Sequence, residues 1–104
     1  MGMVAKEQDG VVTIQLGGSF DVSQYEKFKT ICKKYDSSEN RFKIDFAKTL
    51  YMDSSALGML LLLREQTKGD KERVKLVNVS GTVNKILEVA HFNQLFTICE
   101  DGAD

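Results

Sequence analysis

Two short stretches constrain the architecture more than anything else in the chain. Val12, Ile14 and Leu16 alternate with Thr13 and Gln15, and Phe42, Ile44 and Phe46 alternate with Arg41, Lys43 and Asp45. A period of two sends alternate side chains to opposite faces of an extended strand, so each stretch reads as a half-buried strand. Between them the period changes. Tyr25, Phe28, Cys32 and Tyr35 recur at helical spacing, with Lys27, Lys29, Lys33 and Lys34 on the other positions. A strand, a helix and a second strand in that order imply parallel pairing across a right-handed crossover.

The remaining segments fit around this unit. Met3 to Lys6 reads as a short first strand, and Gln8-Asp9-Gly10 as a turn. Gly17-Gly18 breaks the second strand. Ser23-Gln24-Tyr25-Glu26 has the spacing of a capping box at the start of the first helix, which Asp36-Ser37-Ser38 ends. Asp53-Ser54-Ser55 opens a strongly apolar helix running to about Lys68, with Gly69 as its stop. Val74, Leu76 and Val79 suggest a further strand. Ser80 then caps a helix with Val83, Ile86, Leu87 and Ala90 on one face. His91-Phe92-Asn93 leads into a last strand from Leu95 to Ile98, and residues 100–104 read as a frayed tail. The expected fold is an α/β sandwich: one mixed sheet of about 4–5 strands and one layer of about three helices.

The 104 residues suit a single domain. Lys and Arg total 14 and Asp and Glu total 15, and no segment is a basic block, which argues against electrostatic binding to nucleic acid or an anionic membrane. Cys32 and Cys99 stand far apart beside a single histidine, so no metal or other cofactor is expected. Both cysteines read as reduced core residues of a cytoplasmic protein. The start carries no apolar signal segment. Gly2 alone matches the myristoylation pattern, because Lys6 stands where Ser or Thr is required. The apolar run from Met59 to Leu63 is far too short to span a bilayer.

The Asp53-Ser54-Ser55 triplet is where chemistry can enter. The first N–H groups of a helix lack intrahelical partners and carry partial positive charge, so a phosphate added there is well held. A serine in this position is also simply a good helix cap. Asp21 and Asp53 could form a carboxylate pair for catalysis, but no motif supplies a nucleophile with its base. Ser54 lacks the Gly-x-Ser-x-Gly elbow of hydrolases, so no enzyme is expected. His91 reads as a structural histidine and the first-helix lysines as a solvated face.

Three segments together resemble the STAS domain, and within it the bacterial anti-sigma factor antagonists. Gly18-Ser19-Phe20-Asp21 resembles the turn after that family's second strand. Tyr51-Met52-Asp53-Ser54-Ser55-Ala56-Leu57-Gly58 resembles its phosphorylation motif. Asn78-Val79-Ser80, with Val83, Phe92 and Phe96, resembles its third-helix region. Ala56 replaces the usual Gly, which predicts a stiffer first turn. Many members continue into a fourth helix, and the short stretch after the last strand leads us to expect none here. The resemblance implies that Ser54 accepts a phosphate. It also implies a switch surface of Asp21, Asp53, Ser54, Ser55, Leu57, Gly58 and Met59. The implied partners are an anti-sigma factor with serine kinase activity and a resetting serine phosphatase, with no small-molecule substrate. A second implied role is a cytoplasmic accessory subunit of a membrane lipid-transport complex, which needs no phosphorylatable serine. One helix face can bury only part of Leu57, Met59, Leu60, Leu61, Leu62 and Leu63. Either neighbouring helices cover the rest, or part of the run, such as Met59 or Leu63, forms an exposed contact patch.

Overall fold

The computed structural model describes residues 2–101. The strands are β1 (Val4–Gln8), β2 (Val11–Gln15), β3 (Ser19–Phe20), β4 (Arg41–Asp45), β5 (Tyr51–Met52), β6 (Val74–Val77) and β7 (Thr97–Ile98). The α-helices are α1 (Tyr25–Lys34), α2 (Ser54–Gln66) and α3 (Gly81–Val89). The main sheet has the order β1-β2-β4-β6-β7. β1 pairs antiparallel to β2 through the Asp9-Gly10 turn, whose residues both take positive φ, and the other pairs are parallel. The expected mixed sheet with a three-helix layer is therefore the observed one.

The alternation seen in the sequence is the mechanism of assembly. Val12, Ile14, Phe42, Ile44, Val74 and Leu76 are buried on one face of the sheet, while Thr13, Gln15, Lys43, Asp45 and Lys75 between them stay partly accessible. Each helix contributes a buried stripe to the same core: Phe28 and Cys32 from α1, Ala56, Met59, Leu60 and Leu63 from α2, Val83 and Leu87 from α3.

Beyond Gln15 and Asp45 the second and fourth strands bend, then pair again as β3 and β5, with Ser19 beside Tyr51 and Phe20 beside Met52. The bend is held by main-chain bonds from Leu16 N–H to Asp45 O (3.0 Å) and from Leu50 N–H to Gly18 O (2.8 Å). The buried Thr49 hydroxyl adds a bond to Gly17 O at 2.8 Å. This extension carries the candidate site.

Several local expectations are corrected. The Ser23–Glu26 capping box does not form. Asp21 lies two residues earlier and takes both the Ser23 N–H (3.0 Å) and the Ser23 hydroxyl (2.5 Å), so a 3-10 turn over Val22–Gln24 precedes α1. Helix α2 ends at Gln66 rather than Lys68, because Lys68 is already left-handed; the Thr67 hydroxyl bonds back to Leu63 O (3.0 Å) in the last turn. Gly69, at φ +72°, completes the stop with a 2.8 Å bond to Arg64 O. The last strand begins at Thr97, not Leu95, because a 3-10 turn occupies Phe92–Gln94. His91 is exposed and turns the chain through its left-handed backbone. Of the two free cysteines only Cys32 belongs to the core, Cys99 being half-buried. Of the tail, Asp101 receives the Asn78 N–H through its carbonyl at 3.2 Å, and residues 102–104 lie outside the described residues.

Candidate functional site

The parallel β3–β5 pair delivers two aspartates to one edge. Asp21 directly follows Phe20, Asp53 directly follows Met52, and Phe20 and Met52 are register partners. Phe20 and Met52 point into the core, so the next residue on each strand emerges at the surface. Both aspartates keep extended backbone and both cap the helical element that follows. Asp21 serves the 3-10 turn, and Asp53 accepts the Ala56 N–H of α2 on its carboxylate at 3.2 Å. The Ser23 hydroxyl and N–H on the Asp21 carboxylate hold its pKa below the ordinary 3.8.

Asp53, not Ser54, is therefore the cap of α2. This separates the two roles a serine could have played here. Ser54 is the first helical residue and is exposed, and none of the described residues engages its hydroxyl. The N–H groups of Ser54 and Ser55 occupy the first two helical positions, where no intrahelical acceptor exists. Thirteen residues of aligned peptide dipoles stand behind them. An anion esterified to Ser54 would sit at this positive end with Asp53 and Asp21 as acidic neighbours.

The other expected site residues divide by helical phase. Ser55 and Leu57 are half-buried, and Gly58, one turn on from Ser54, is exposed. Met59 and Leu63 do not form an exposed patch: each is only 1% exposed, because their phase on α2 faces the core and α1. The exposed apolar residues of α2 are Leu61 and Leu62.

Sequence reasoning missed a nearer apolar set. Leu50, Tyr51 and Val22 are 81%, 53% and 67% exposed. They flank Met52 and Asp21 on the paired strand ends, beside the α2 N-terminus. Alternation about the buried Phe20 and Met52 turns Tyr51 outward, but Val22 and Leu50, two residues from those positions, are exposed only because the strands end there, and no sequence signal marks them. Among the described residues no three His, Cys, Asp or Glu side chains are grouped to hold a metal. No helix among them is long and apolar enough to cross a membrane.

Comparison with known proteins gives this geometry a context. A family model described as the STAS domain matches residues 2–104. A STAS-domain containing protein of Pseudomonas aeruginosa is 40% identical over 87 residues, covering 84% of this chain and 86% of that one. The solved structure of the anti-sigma factor antagonist SpoIIAA in its unphosphorylated form is similar with a TM-score of 0.75 at 20% identity, over 98% of this chain and 90% of that chain. A sulfate transporter family protein from Wolinella succinogenes is similar with a TM-score of 0.74 at 15% identity, over 92% of this chain and 81% of that chain. At such identities the likeness to the solved structures is one of fold.

Proposed function

The chain belongs to the STAS-domain family, and from that membership we propose that it is a partner-switching regulator controlled by phosphorylation of Ser54. The observation that carries this reading is the division of labour at α2: Asp53 caps the helix and leaves the Ser54 hydroxyl exposed and disengaged at a positive helix end. The unphosphorylated form binds a regulatory protein over Leu50, Tyr51, Val22 and the first turn of α2. That protein is an anti-sigma factor with serine kinase activity or a related regulator. It phosphorylates Ser54 and is released, and a serine phosphatase resets the domain.

The energetics favour release without unfolding. A phosphoserine carries about −1.5 to −2 charges at neutral pH, part of which the helix N-terminus absorbs. A partner packed over the site must desolvate the remainder beside Asp53 and Asp21, at a cost of a few kcal/mol. Turning occupancy from nearly full to nearly empty needs about 5.5 kcal/mol of differential affinity, within reach of one phosphate plus steric exclusion.

The test is a paired capture from cells of the source organism with Ser54→Ala and Ser54→Glu baits, read by mass spectrometry. A kinase-like partner held by the first and lost by the second supports the switch. The same partners on both, in particular an ABC ATPase with transporter subunits, would replace this reading with the accessory-subunit role.

A further inference from the structure

A groove of about 500 Å3 runs between helices α1 and α2. Its floor is apolar: Phe28 of α1 and Met59 and Leu63 of α2 are core residues whose outer edges line it. Leu62, 48% exposed, forms part of the α2 wall. Gln66, the last residue of α2, donates its side-chain amide to Cys32 O at 2.9 Å and ties the two helices together at that end. No residue around the groove belongs to the β3–β5 edge or to the first turn of α2.

The α1 side of the groove carries positive charge. Lys29 and Lys33 are exposed and stand one turn apart on that helix, so they share a side of it. Lys29 Nζ lies 5.8 Å from the centroid of the Tyr25 ring, which also lines the groove. Neither ammonium is paired with a carboxylate among the described residues. The single carboxylate lining the groove, Asp36, comes after the end of α1. Two of the lysines that read in the sequence as a solvated face therefore border an apolar cleft.

We propose that this groove binds a small amphipathic monoanion, an unbranched carboxylate of medium chain length. Its head group meets Lys29 and Lys33, and its chain lies along Phe28, Met59 and Leu62. Small-molecule sites are mostly apolar clefts of about 300–1,000 Å3 with a few polar groups that fix orientation, and this groove has that size and composition. Helix α1 rises about 12 Å from Tyr25 to Lys33, the reach of a medium chain rather than of a long lipid tail. An anionic head is selected because a cationic one would meet two like charges. The site lies apart from Ser54, so the proposal stands whether or not Ser54 is a switch.

The probe is decanoate, kept below its micelle concentration, titrated into the isotopically labelled protein and followed by backbone amide shifts. Saturable shifts at Phe28, Lys29, Leu62 and Leu63 are expected, equal in the Ser54→Glu protein. The Lys29→Gln/Lys33→Gln double variant changes only exposed helix positions. It should melt as the parent does and bind decanoate at least about fivefold more weakly. Leu62→Gln, also at an exposed position, should weaken binding as well. Decyltrimethylammonium, with the same chain and the opposite charge, should bind more weakly than decanoate. Four results would each overturn the proposal. Shifts could fall instead on the edge of Val22, Leu50 and Tyr51, or fail to saturate. The double variant could bind as well as the parent. Decyltrimethylammonium could bind as tightly as decanoate. Phosphatidylglycerol vesicles could capture the protein through the same lysines, which would make the ligand a membrane surface rather than a free carboxylate.

Discussion

Asp53 caps α2 and leaves the Ser54 hydroxyl exposed, while Asp21 caps the 3-10 turn before α1. Replacing Asp53 by Ala removes the side-chain acceptor of the Ala56 N–H, so stability should fall by about 1 kcal/mol in a denaturant titration. Asp21 gives a pH signature. Its folded pKa lies below the ordinary value, so its carboxylate contributes stability above pH 3.8 that is lost as pH falls through the lowered value. The stability gap between the parent and Asp21→Asn should thus be full at neutral pH and close below pH 3.8. Cys32 is set by burial, which pushes its thiol up to about 12. It should resist alkylation by iodoacetamide at pH 8 until the protein is unfolded. The residue triplet at 53–55 was legible as a helix start, but not which member capped it, because Asp and Ser both suit a cap and only backbone geometry separates them.

Helix α2 shows why element phase was harder to read than element identity. Its apolar run, Met59 to Leu63, fills more than one face, so periodicity alone could not separate the buried Met59, Leu60 and Leu63 from the exposed Leu61 and Leu62. Packing against α1 and the sheet decides it. The strands were clearer, since Phe42-x-Ile44 and Val12-x-Ile14 alternate without ambiguity. The first-helix start was misread because a side-chain turn at Asp21 competes with a capping box at Ser23. Gly58 gives an element-scale test. It is exposed in the middle of α2, and a Cβ built there meets nothing within 4 Å. Gly58→Ala should stabilise the domain by about 0.5–1 kcal/mol, read as a higher melting temperature.

At the scale of the whole molecule, the site is an outgrowth of the core. Phe20 is fully buried and packs on Phe28 of α1 and on Phe46 beyond β4, with ring centroids 5.4 and 6.4 Å away. It immediately precedes Asp21, so the core itself fixes the strand end that carries the candidate site. Phe20→Ala should cost about 3–5 kcal/mol in a denaturant titration. The two-layer architecture was readable because strand and helix periods alternate along the chain. The exposed edge of Val22, Leu50 and Tyr51 was not, since it exists only once β3 and β5 pair. Under the proposed function, charge on Ser54 governs partner binding. Its most direct measurement is the affinity of the partner recovered on the Ser54→Ala bait for two forms of this protein, unmodified and carrying phosphoserine at position 54. A loss of at least about a hundredfold on phosphorylation, with the domain still folded, is the predicted result. Equal affinity for the two forms would contradict control by phosphorylation of Ser54.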